Sequence, residues 1–180
     1  MYELPTALEV NNTMREIRSD YRAVLDVIAA LNEPDLTQQE KALVSIEIIF
    51  TDKIEPSDYR EALEKIMWFI GGGETENEQT NKPILVDWEK DFKLIIAPIN
   101  KIIGCECRNL KYLHWWTFLS AYCEIGDCAF ANVVSIRNKK AKGKKLDKWE
   151  QEYYRENRNA IDIKPKFSED EKAALDFFYV

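Results

Sequence analysis

The chain has 180 residues, of which 46% are hydrophobic and 32% charged, with six glycines and six prolines. That mix excludes collagenous, low-complexity and wholly disordered chains, and the length suits one domain. Apolar runs such as "LIIAPI" from Leu94 fall far short of the ~18 residues a bilayer span needs, and "MYELPTALEV" lacks the basic and apolar segments of a secretory signal, so a soluble, cytoplasmic protein with no membrane partner is expected.

The net charge of −7 is unevenly spread. Residues 1–100 hold ten Lys and Arg against twenty Asp and Glu, whereas residues 101–180 hold fifteen against twelve. Seven cations against the single acid Asp147 fill residues 137–148. Affinity for phosphates scales with the cations presented, so an acidic chain with one basic stretch is not primarily a nucleic-acid binder.

At the start of the chain, Leu8, Val10, Met14 and Ile17 bracket Asn11-Asn12, a pair that tolerates positive φ, which predicts a short β-hairpin. Ser19 or Asp20 then caps a helix with Val24, Leu25, Ile28 and Leu31 at helical spacing. Thr37 with Glu40 reads as a capping box for a second helix bearing Leu43, Ile46 and Ile49. Pro56-Ser57 opens a third, with Leu63, Ile66, Met67 and Ile70 on its buried stripe, and Gly71-Gly72-Gly73 stops it. Residues 71–86 are expected to form a flexible internal loop. Two small cores on either side of that loop are less favourable than one shared core, so a single domain over 1–180 is expected.

Beyond the loop, Asp87 caps a helix containing Pro98. Further helices are read over 112–125, about 128–140, 146–157, and from a cap at Ser168. The fold class is therefore mainly α, a multi-helix domain with a short N-terminal hairpin and a basic elbow at 137–148 around Gly143.

Little in this pattern points to catalysis. The single histidine, His114, sits between Leu113 and Trp115 and reads as a packed residue with one satisfied nitrogen rather than half of a nucleophilic pair. Cys105, Cys107, Cys123 and Cys128 have C-x-C and C-x4-C spacings on a segment read mainly as helix, which favours small core hydrophobes over a zinc site. Asp87, Glu89 and Asp91 read as a cap and two acids compensating the helix dipole. No phosphate-binding glycine motif is complete. A non-enzyme with no metal and no cofactor is expected.

Two segments point to partners. In "YLHWWTFLSAY", one helical stripe joins Tyr112, Trp116 and Leu119 and the next joins Trp115, Phe118 and Tyr122. They read either as a widely buried helix or as an aromatic surface that anchors a protein. The cations Arg137, Lys139, Lys140, Lys144 and Lys145 read either as a solvated helix end or as a docking surface for an acidic partner.

The segments "LPTALEV…IRSDYRAVL", "DWEKDFKLIIAPINKIIG", "YLHWWTFLSAYCEIGD" and "SIRNKKAKGKKLDKWEQEYYREN" resemble the bacteriophage gene product fifteen family of tailed phages and prophages, over residues 4–164. The resemblance implies a protein encoded in the tail module that acts as a tail assembly chaperone. Its implied partners are the tape-measure protein and other tail proteins, with self-association a further expectation, and it carries over no catalytic residues. The two alternatives are a structural component retained in the virion and a nucleic-acid-binding regulator.

Overall fold

The computed structural model describes residues 3–74 and 83–163. Residues 75–82 of the expected 71–86 loop, and all of the helix expected from Ser168, lie outside the described residues. The described chain is mainly helical and begins with one two-stranded antiparallel hairpin, as the periodicity predicts. It divides into two compact units: residues 3–74 with His114–Trp116, and residues 83–113 with 117–163.

The first unit opens with β1 (Ala7–Val10) and β2 (Thr13–Glu16), paired from Val10↔Thr13 back to Ala7↔Glu16. Asn11 and Asn12 have φ of 51° and 55°, the two left-handed residues of a type I′ turn, whose twist suits a two-residue hairpin. Leu8 and Val10 face inward, whereas Glu9 and Met14 are exposed. Three helices follow: α1 (Tyr21–Leu31), α2 (Gln38–Ile49) and α3 (Tyr59–Ile70). Asp20 caps α1 by accepting from the Arg22 N–H, and Thr37 and Glu40 form the expected capping box on α2. The buried stripe of α3 is Ala62, Ile66 and Phe69: Ile66 is buried as expected, Ala62 and Phe69 each lie one position before the expected Leu63 and Ile70, which are half-buried, and Met67 is 49% exposed. From Ile66 to Ile70 that helix is apolar on every side, so spacing alone does not choose its inward face. α3 continues directly from the 3₁₀ turn at Pro56–Asp58.

In the second unit, α4 (Trp88–Ile103) has Asp87 as its cap and Gly104, at φ 83°, closing it in the left-handed conformation. The remaining helices are α5 (Trp115–Cys123), of which residues 117–123 belong to this unit, α6 (Ala129–Ala141), α7 (Lys148–Glu156) and α8 (Arg158–Ile161). Asp147 and Glu150 form a second capping box, starting α7 two residues later than expected. The core includes Ile95, Ile99, Phe118, Val133, Ile136 and Ile161. Of the four cysteines only Cys107 is a core residue; Cys105 and Cys123 are exposed and Cys128 precedes α6. Cys105 follows Gly104 in a bend and Cys107 opens a short 3₁₀ helix, Cys107–Asn109, where Asn100 accepts from the Cys107 N–H and donates to Glu106.

Candidate protein-interaction surfaces

The aromatic segment is built around backbone groups that need partners. α3 ends in a Schellman motif, with Gly72 and Gly73 in the left-handed region and their N–H groups donating to Phe69 and Trp68. Carbonyls of the last turn can accept further hydrogen bonds. The Trp115 indole N–H donates to the Ile70 carbonyl, and the Trp116 indole N–H donates to the Phe69 carbonyl, both at 2.9 Å. Trp116 also lies edge-on to Trp68, with ring centroids 5.4 Å apart, and stacks on Phe69.

His114 lies before the helix, not inside it as the reading over 112–125 required. It pairs with Asp20 as an isolated β-bridge, and the Trp115 N–H donates to the Ser19 carbonyl. Both ring nitrogens are engaged: Nδ1 accepts from the Trp116 N–H, which leaves Nε2 to donate to the Pro5 carbonyl at 2.9 Å. The helix therefore starts at Trp115, and Tyr112, 53% exposed, stands outside the stripe assigned to it.

Of the other aromatic residues assigned to a partner surface, Trp115 and Phe118 are buried at 1% and 0% exposure, and Leu119 is half-buried. Within the second unit, Tyr122 is half-buried against Trp88 and Phe130, at centroid distances of 4.8 and 5.9 Å. Burial, with Cys123 and Asp91 nearby, raises its phenol above the usual tyrosine range. Trp116 is half-buried, bonded to the end of α3 and edge-on to Trp68.

Gly73 shows how closely this corner is packed. Its φ is 92°, and a Cβ there would lie 3.0 Å from the Trp116 ring. Gly73→Ala is expected to destabilise the protein by about 1–3 kcal/mol, from left-handed strain and displacement of Trp116. A lowered midpoint in chemical unfolding checks this.

The basic stretch also separates. Arg137 is not on a surface; it is buried at 6% exposure, a correction to its place among the docking cations. Its guanidinium forms a bidentate pair with Asp91 and donates to the carbonyls of Leu85, Ala160 and Ile161. Asp91 in turn accepts from the Asp87 N–H, so it is an interior ion-pair partner and not simply a dipole-compensating acid. Lys139 pairs with the buried Glu150. Lys140 pairs with Asp162 and lies over the Tyr154 ring. Burial pushes the Asp162 carboxyl up, but hydrogen bonds from Lys140, Tyr154 and Arg158 outweigh it and hold the group below its usual range. Lys142, Lys144 and Lys145 remain exposed beyond the Schellman closure of α6, where Gly143 has φ 64°.

A surface the sequence did not single out lies in the first unit. Pro5, Ala7, Glu9 and Met14 of the hairpin segment and Glu64, Lys65 and Trp68 of α3 line an open groove of about 540 Å³. Met14 is 65% exposed beside it. The aromatic wall is Trp68, which sits in an apolar run that spacing could not orient. Among the described residues, no group of three His, Cys, Asp or Glu side chains is placed to hold a metal ion, and no helix is long and apolar enough to cross a membrane.

Comparison with curated proteins and with solved structures gave no match. The family model described as Bacteriophage Gp15 protein matches residues 1–163, and the chain belongs to that family.

Proposed function

We propose that this protein is a non-enzymatic phage tail assembly chaperone that binds the tape-measure protein and keeps it soluble in the host cytoplasm. The observation that carries the reading is the family match over residues 1–163, which points to a phage structural or assembly role. A tape-measure chain exposes long apolar stripes before the tube forms around it, and such stripes need shielding. Release on tube assembly favours many modest contacts over one tight anchor. Exposed apolar side chains such as Leu4, Met14, Leu43, Met67, Tyr112 and Trp149 offer contacts of that kind.

Co-expression with the tape-measure protein of the same genome, followed by co-purification and a solubility assay, tests the proposal. The expected result is a soluble tape measure that travels with this protein and mature particles that lack it. An insoluble, unbound tape measure overturns the reading, and retention in purified particles identifies a structural component instead.

A further inference from the structure

We infer that the groove between β1 and α3 takes an extended polypeptide segment carrying alternating apolar and basic side chains, added as a third strand along β1. In a two-residue hairpin the pair flanking the turn exchanges both hydrogen bonds, and pairing then alternates. Val10↔Thr13 and Leu8↔Arg15 are therefore the bonded pairs, and Ile17 N–H donating to the Thr6 carbonyl continues the alternation. The backbone N–H and C=O groups of Ala7 and Glu9 consequently point away from β2, at the two-residue spacing that an added strand reads.

The opposite edge is already used. Glu16 on β2 accepts from the Thr51 N–H at 3.1 Å, and Ile17 bridges to Phe50. On the β1 side the Asn11 N–H, at the turn, donates to Glu61 of α3 at 3.1 Å, and the neighbours of Ala7 and Glu9 across the groove are side chains of α3. Trp68 supplies a large apolar face whose orientation is fixed by edge contact with Trp116, so little conformational entropy is lost when a ligand covers it. Met14 adds an exposed flexible apolar contact.

Charge selects the occupant. Glu9, Glu64 and Lys65 line the groove, Glu64 is paired with Arg60 at 3.2 Å, and Glu16 lies on the same exposed hairpin face as Glu9. Residues 3–74 hold fifteen Asp and Glu against seven Lys and Arg. A second copy pairing through β1 would set Glu9 against the same acidic surface, whereas a segment with Lys or Arg beside its apolar residues is attracted. The inference rests on the chaperone reading only in that both require this protein to bind another polypeptide.

The test uses the full chain and a fluorescein-labelled peptide, Thr-Val-Lys-Leu-Lys-Val-Thr, read by anisotropy and by amide shifts of Ala7 and Glu9. Two comparison peptides replace Lys with Glu, or carry N-methyl groups on alternate backbone nitrogens. The Lys peptide is expected to bind at least about tenfold more tightly than either, with the charge preference shrinking at high salt. Trp68→Ala should weaken binding. Because that change also touches packing, Glu9→Lys at an exposed position is the second variant; it should weaken the Lys peptide about tenfold and favour the Glu peptide. Equal binding of the N-methylated peptide, indifference to Glu9→Lys, or pairing of two copies through β1 overturns the inference. Capture of the tape measure by Glu9→Lys at the wild-type level overturns the groove as its docking site while leaving the chaperone reading intact.

Discussion

Replacing Arg137 with alanine is expected to cost the second unit about 3–5 kcal/mol, because it leaves Asp91 as an uncompensated charge at 1% exposure. The guanidinium does more than pair. Its bonds to Leu85, Asp91, Ala160 and Ile161 join the segment before α4, α4 itself and α8 to α6. Removing it leaves three carbonyls without that donor as well as the unpaired carboxylate. Arg137→Lys should recover only part of the loss, since an ammonium cannot reproduce the planar fork that holds the carboxylate at two points. Hydrogen exchange is the direct measurement: amides of α4, α6 and α8 should lose protection, and the unfolding midpoint should fall. Asp91→Asn tests the same pair from its other end, and its cost should not add to that of Arg137→Ala because both variants break one interaction. Stability unchanged in Arg137→Ala would return this residue to the solvated basic stretch in which its sequence neighbours place it.

That pair also marks where the sequence stops being legible. Features decided within a few residues are readable: the Asn11-Asn12 turn and the Thr37 and Asp87 caps all occur where local chemistry requires them. Asp91 and Arg137 each have an adequate local explanation, one as an acid in a first turn and the other as the first cation of a basic run. The contact that overrides both joins positions 46 residues apart. His114 fails for a related reason. Its bridge to Asp20 is set by a strand-like segment near the start of the chain, and no helical periodicity in 112–125 reports it. The groove wall was hidden differently, because Met67, Trp68, Phe69 and Ile70 are consecutive apolar residues and any of them fits an inward stripe. Tertiary rotation of α3 places Phe69 inside, with Trp68 half-buried and Met67 exposed.

Trp115 separates the two readings of the aromatic segment. At 1% exposure, and with its indole N–H bonded to the Ile70 carbonyl, it belongs to the interior of the first unit. Trp115→Ala should therefore destabilise by about 3–5 kcal/mol through lost apolar burial and the cavity left behind. Trp115→Phe retains much of the apolar volume but removes the indole donor, so about 1–3 kcal/mol is expected from the unpaired carbonyl at the end of α3. The ordering of the two variants matters more than either value, because it divides the residue's contribution between volume and the single hydrogen bond. Chemical unfolding monitored by far-ultraviolet circular dichroism gives both. A contact residue would behave in the opposite way: Trp115→Ala would leave unfolding unchanged and abolish capture of the tape-measure protein. If instead capture fails only in proportion to the unfolded fraction, "YLHWWTFLSAY" contributes by holding the end of α3 in place, and the residues that meet a partner lie on the surfaces this packing supports.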